Sequence, residues 1–440
     1  MKRNSHKINN PVYQVGMIIF FLFAFVPDTS VYAQKPNVNY DEKAVPSYKL
    51  PDPLILNDGS VVSDAQTWWN VRRPEILQMF ENEMFGKTPG TKLPASSELT
   101  SLDKKALDGK ATRKEITIYF TADRKGSCMV LLMYLPNQVK EQAPVFLAMN
   151  FDGIHTIQPD TGISITKNWL DINAESGIQN NNAESISRGT AVSRWPVEKI
   201  IQRGYGLATF YYEDIDPDFD DGFQNGIHPL FYKPGQEAPA ADEWGSIGAW
   251  AWGYSRAMDY LETDNGIDKR RIVLMGHSRL GKAALWAGAQ DQRFTIVISN
   301  NSGCGGAALS KRAFGETVNS INERFPHWFC GNFKKYNNNE QSLPFDQHML
   351  LSLIAPRPVY VASAAEDLWA DPQGEFLGAL NASPVYKLLG TEGITVSTRP
   401  PLSQPVMSPI GYHIRPGKHD VTEYDWECYM NFADSYLRKY

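Results

Sequence analysis

The chain has 440 residues and a formal net charge of −6, with 42% hydrophobic and 12% aromatic residues. That composition supports a large buried core, in one large α/β domain or several smaller ones. With no basic block, it argues against nucleic acid as a default partner.

At the N-terminus, Lys2, Arg3 and Lys7 precede the apolar run Val15 to Val26, and Val31-Tyr-Ala33 offers a small-residue cleavage site before Gln34. This is the pattern of a signal peptide over residues 1–33. The run is short for a membrane span, and no cysteine sits near the cleavage point to carry a lipid. The mature chain, 34–440, is expected to be periplasmic or secreted, with no membrane span. Export makes Cys128, Cys304, Cys330 and Cys428 eligible for disulfides. The sequence does not choose among their pairings or exclude free thiols, although the loop-rich region after residue 300 favours Cys304–Cys330. No Cys-x-x-Cys or His-x-x-x-His spacing suggests a metal.

Lys35 to Pro53 reads as an irregular lead-in. Ala65 to Glu83 has helical spacing, with Pro74 expected to break it and start a second helix. The runs Glu115–Phe120, Cys128–Leu135 and Val145–Met149 read as strands, and Ile157 to Arg188 as a polar surface excursion. After a short helix at Val197–Arg203 comes a strand at Tyr205–Tyr212. Asp214-Ile-Asp-Pro-Asp-Phe-Asp-Asp-Gly222 then alternates aspartates in a way that invites a calcium reading. It fails the EF-hand pattern, because glycine misses position 6 and Asn225 stands at position 12. A solvated acidic turn is expected instead.

Trp244 to Thr263 has the clearest helical stripe, and Ile272 to Met275 forms a short apolar strand. Gly276-His-Ser-Arg-Leu-Gly-Lys282 follows, leading into a helix. A serine between a buried strand and a helix, flanked by glycines, is the arrangement of a nucleophile elbow, with the second glycine one place later than in Gly-x-Ser-x-Gly. Further strands are expected at Thr295–Ser299 and Pro358–Ala362, and a closing helix at Glu423–Leu437. Strands alternating with helices predict an α/β fold: a mostly parallel central sheet in a three-layer sandwich, with the site at the carboxyl ends of the strands. No linker or repeat divides it, so one domain is expected over 34–440.

A serine hydroxyl needs a base, and in the α/β-hydrolase order Ser…Asp/Glu…His that base is His419, in the loop before the last helix. Glu366, Asp367 and Asp371, in the loop after the penultimate strand, all qualify as the acid. His277 is expected to point away into the strand–helix junction. Arg279 places a cation near the carbonyl under attack. Lys282 lies one helical turn from Ser278, on the same face.

Gly276-His-Ser-Arg-Leu-Gly-Lys282, Ser302-Gly-Cys-Gly-Gly306, Phe314-Gly-Glu-Thr317, Phe325-Pro-His-Trp-Phe329, Trp369-Ala-Asp-Pro372 and Gly417-Lys-His419 together resemble the bacterial glucuronoyl esterases. The resemblance runs from about Tyr48 to the C-terminus. It implies an α/β-hydrolase without a cofactor that cleaves esters between 4-O-methylglucuronic acid on xylan and lignin alcohols. It further implies Ser278 as nucleophile, His419 as base, Arg279 as oxyanion stabiliser, and Lys282, Glu316 and Trp369 as sugar contacts. One family branch carries the triad acid where this chain has Asn301. The later loop must then supply it, and Asp367 matches the family pattern best, with Glu366 as the alternative and Asp371 next. The expectation is a monomer acting on glucuronoxylan or lignin–carbohydrate esters. Competing readings are an acetyl xylan esterase, a peptidase, or an inactive carbohydrate-binding relative.

Overall fold

In the elbow strand, alternate residues are buried on opposite sides: Ile272 and Leu274 in one apolar cluster, Val273 and Met275 in another. The neighbouring strand does the same, with Val145 and Leu147 facing one way and Phe146 and Ala148 the other. A strand apolar at every position can bury both faces only inside a layered α/β structure. The computed structural model describes residues 38–90, 93, 95–170 and 181–437. The signal-peptide expectation, and the 171–180 part of the polar excursion, lie outside the described residues. Val38–Tyr440 form one compact unit.

In chain order the main elements are α1 (Ala65–Thr67), α2 (Arg73–Glu83), β1 (Ser96–Ala106), β2 (Ala111–Tyr119), β3 (Cys128–Pro136), β4 (Ala143–Asn150), α3 (Val197–Gln202), β5 (Gly206–Tyr211) and α4 (Ser246–Leu261). They continue with β6 (Ile267–His277), α5 (Arg279–Gln290), β7 (Ile296–Asn300), α6 (Val318–Arg324), α7 (Gln347–Ser352), β8 (Val359–Ala364), α8 (Pro372–Leu388), β9 (Ile410–Arg415) and α9 (Glu423–Leu437). Nine strands form one sheet in the order β1-β2-β3-β5-β4-β6-β7-β8-β9. The first four in that order pair antiparallel, and every pair from β5 to β9 is parallel. One face packs under α4, α5 and α8 through Trp250, Trp286 and Phe376. The other packs under α3 and α9 through Ile200, Trp426 and Phe432.

The parallel register brings the functional loops together. His277 pairs with Asn300, Asn300 with Ala362, and Ala362 with His413. The chain therefore leaves β6, β7, β8 and β9 at the same edge, delivering Ser278, Asn301, Asp367 and His419.

Three local expectations are corrected. Pro74 does open a second helix, in the first turn of α2, but without a break, because a wide turn over Trp68–Arg72 joins α2 to α1. The missing N–H of the proline costs nothing there. The favoured Cys304–Cys330 disulfide does not form, and all four cysteines are free thiols. Burial pushes the Cys304 thiol well up and those of Cys330 and Cys428 to about 11, so all three remain protonated and unreactive at neutral pH. The acidic turn is solvated only in part: Asp220 is exposed, but two other aspartates are not. Asp216 is 2% exposed and the Asp218 side chain 1%, each held by donors from outside the turn.

Candidate active site

Ser278 sits between β6 and α5 with φ 57° and ψ −129°, a left-handed region that a residue with a Cβ rarely adopts. The sharp turn needs its glycines. A Cβ on Gly276 would collide with the Leu280 carbonyl, and one on Gly281 would lie 3.0 Å from the Ser302 Cβ. This explains the late second glycine, since it is residue 281 that packs against the β7 loop. The Ser278 carbonyl accepts the Gly281 and Lys282 N–H groups at 2.9 and 3.2 Å, so α5 begins at once. Its first N–H groups have no carbonyl one turn earlier to bind.

A cleft of about 320 Å³ over this turn is lined by Ser278, Arg279, Lys282, Glu316, Asp367, Trp369 and His419, all of the site residues read from the sequence. Asn301, Arg324, Phe325 and Trp328 complete much of its wall.

His419 meets the Asp367 Oδ2 through Nδ1 at 2.6 Å. A carboxylate there holds the proton on Nδ1 and leaves Nε2 as the basic nitrogen. Burial raises the Asp367 carboxyl, but hydrogen bonds and charge from His419, with the Asn301 amide, outweigh it and leave it below the usual range. The Asn301 Nδ2 donates to the same Oδ2 at 2.8 Å. The β7 and β8 loops thus converge on His419, with the amide steadying the carboxylate rather than replacing it. Glu366 is exposed, and its N–H binds the Gly417 carbonyl at 3.0 Å. Asp371 turns the other way, pairing with Arg312 at 2.7 Å and capping α8 through the Gly374 N–H.

His277 lies closer to the chemistry than expected. Its Nδ1 meets the Asn300 Oδ1 at 2.6 Å, yet its ring is 4.6 Å from that of His419. Burial, and then the neighbouring His419, hold its imidazole well below the usual histidine range. It packs against His419 as a neutral ring.

Arg279 pairs with Asp218 and lies over Phe151, Phe325 and Trp328, nearest the last at 4.9 Å. Lys282 is buried, donating to the Ser302 carbonyl at 2.7 Å and to the Glu316 Oε2 at 3.4 Å. The Glu316 N–H binds the Trp369 carbonyl at 2.9 Å, tying the two sugar-contact candidates together. Beneath the floor, burial raises the Glu375 carboxyl to about 8. It accepts the Gly303 N–H at 3.0 Å and the Ser363 hydroxyl at 2.6 Å.

Asp218 and Glu375 were missed by sequence reading. Asp218 stood in an acidic stretch whose burial no local pattern signals, and Glu375 lies in α8, whose pattern shows no clear apolar stripe. Among the described residues no group of three or more histidines, cysteines or carboxylates could hold a metal ion. Nor is any helix among them long and apolar enough to cross a membrane.

A family model described as "Glucuronyl esterase, fungi" matches residues 163–390. Carbohydrate esterase MZ0003, from an unknown prokaryotic organism, is 52% identical over 416 residues, covering 94% of this chain and 95% of that protein. 4-O-methyl-glucuronoyl methylesterase 1 of Wolfiporia cocos is 29% identical over 79% of this chain and 74% of its own. The solved glucuronoyl esterase from Solibacter usitatus is 54% identical, superposes with a TM-score of 0.85, and covers 89% of this chain and 99% of its own. An elbow serine, a carboxylate-held histidine and a charged, aromatic-walled cleft on this sheet therefore belong to a known lineage: the chain is a member of the glucuronoyl esterase family, a carboxylic ester hydrolase with the α/β-hydrolase fold.

Proposed function

We propose that this esterase cleaves (4-O-methyl)glucuronoyl esters, as in lignin–glucuronoxylan linkages, through a Ser278–His419–Asp367 triad and an acyl-enzyme. The observation that carries this reading is the single cleft holding the elbow serine, the Asp367–His419 pair and Arg279 beside the Lys282–Glu316 pair and Trp369. Ser278 Oγ attacks the ester carbonyl while His419 Nε2 takes its proton. The tetrahedral intermediate collapses, and the leaving alcohol takes that proton. Water, deprotonated by His419, then attacks the acyl-enzyme, releasing the uronic acid and restoring the serine hydroxyl. The α5 N–H groups and the Arg279 guanidinium face the oxygen that gains charge. The sugar ring offers an apolar face to Trp369 and hydroxyls to the Lys282–Glu316 pair.

Two parts of the reading rest on the sequence: the exported state from residues 1–33 and a single mature domain. The deciding experiment compares hydrolysis of methyl and benzyl glucuronate with that of p-nitrophenyl acetate. Faster turnover of the acetyl ester would transfer the assignment to a general acetyl esterase.

Arg279→Ala is expected to lower kcat far more than it raises KM, by about 2–4 kcal/mol of transition-state stabilisation. A change confined to KM would make Arg279 an anchor for bound substrate. Truncating Lys282, Glu316 or Trp369 is expected to slow glucuronoyl ester hydrolysis by at least about tenfold more than acetyl ester hydrolysis, the range of one lost polar or apolar contact. Equal losses on both substrates would assign these residues to the fold.

A further inference from the structure

The aspartates of the Asp214–Gly222 turn have no place in the triad, yet one of them reaches the reacting centre. Asp218 follows β5 by a single loop, and its carboxylate accepts from four side chains on three segments of the chain. The Tyr212 hydroxyl donates to Oδ2 at 2.9 Å, His327 Nε2 to Oδ1 at 2.9 Å and Trp328 Nε1 to Oδ1 at 2.6 Å. The fourth donor is Arg279 Nη1. Burial lowers His327 to about 4, so it donates as a neutral ring. Arg279 is then the one formal cation among these four donors.

We propose that Asp218 is the positioning residue and counter-charge of Arg279. This rests on the reading of Arg279 as oxyanion stabiliser. A guanidinium on a flexible stem loses much of its value to the transition state if it must be ordered during the reaction. Here three uncharged or neutral donors fix the carboxylate, and the carboxylate fixes one edge of the guanidinium. The rings of Trp328, Phe325 and Phe151 hold its flanks. The rest of the group is left at the cleft wall.

The charge has a second consequence. Hydrolysis turns a neutral ester carbonyl into a uronate carboxylate at the same place, and an unpaired arginine there would bind it as a charge-assisted pair. With Asp218 already paired to it, Arg279 keeps an oriented N–H edge for the localised charge of an oxyanion, while its own charge is largely offset and holds the delocalised product carboxylate less tightly. Asp218 thereby favours the neutral substrate over its anionic product.

The test measures kcat and KM on methyl glucuronate, and the inhibition constant of free glucuronate, in the full chain. The variants are Asp218→Asn, Arg279→Ala and their combination, with Tyr212→Phe as a milder change. Asp218→Asn is expected to lower kcat about tenfold, part of the loss of a whole oxyanion donor, with little change in KM. It is expected to tighten glucuronate inhibition about tenfold, as the freed cation pairs with the product. Tyr212→Phe removes one support without leaving a buried charge, and is expected to lower kcat about twofold to threefold. Neither change should lower kcat further, or tighten inhibition, in an Arg279→Ala background. Equal losses with and without Arg279, or unchanged product inhibition in Asp218→Asn, would overturn the proposal. Unimpaired kcat in Arg279→Ala alone would overturn the oxyanion reading beneath it, and is read from a separate arm.

Discussion

Ser278→Ala is expected to reduce ester hydrolysis by about a thousandfold or more, while leaving the fold and sugar binding intact. The hydroxyl is needed for bond formation, whereas the turn that carries it is specified by its surroundings. Gly276 clears the Leu280 carbonyl, Gly281 clears Ser302, and the Ser278 N–H binds the Asn300 carbonyl at 2.9 Å. Alanine keeps the Cβ that the left-handed backbone already accommodates, so the elbow should survive. Steady-state rates on methyl glucuronate, with thermal unfolding as a control, check this. Turnover above a few per cent of the parent enzyme in a cleanly folded variant would remove Ser278 from the nucleophile role.

Asp367→Asn is expected to lower kcat by about a hundredfold at least, and by up to about ten-thousandfold. The loss should come through His419. An amide in place of the carboxylate can present its NH2 to Nδ1, moving the imidazole proton to Nε2 and removing the lone pair that Ser278 needs. Asn301 sharpens the effect: its Nδ2 already donates to Oδ2, so an amide at 367 would be forced to choose between two partners. Glu366→Gln is expected to cost about tenfold at most, because that side chain faces solvent while its backbone alone is engaged. Measuring both variants on one substrate decides the acid, and the reverse ranking would give the role to Glu366. Activity returning when Asn301→Glu is added to Asp367→Asn would show that the β7 loop can still deliver a carboxylate to His419. That loop already touches Asp367, so the distance is suitable.

Much of the fold was legible because its signals are local. A strand buried on both faces must be apolar at every position, and Ile272–Met275, Val145–Met149 and Val359–Ala362 are nearly so. The elbow was legible because a serine at positive φ between a strand and a helix requires small neighbours at fixed places, and Gly276 and Gly281 stand in the sequence. The order of Ser278, the β8 loop and His419 is likewise a linear property. β1 and β9 were less legible: β1 is an exposed polar edge strand, and β9 carries Gly411, His413 and Arg415 in a run whose burial comes from its neighbours.

The choice among carboxylates was not local. Glu366 and Asp367 are adjacent and chemically equivalent, and only the path of the chain after β8 turns one toward His419 and the other to solvent. The aspartates of the 214–222 turn read as solvated because nothing within that stretch names their partners. Three of the four partners of Asp218, namely Arg279, His327 and Trp328, are supplied from 61, 109 and 110 positions away. A buried charge is tolerated only where donors converge on it, and convergence of separate segments is a property of the tertiary structure. The sequence by itself pointed to Ser278, to His419 and to the layered sheet that carries them. Which carboxylate meets His419, and which one meets Arg279, was decided only when the loops met.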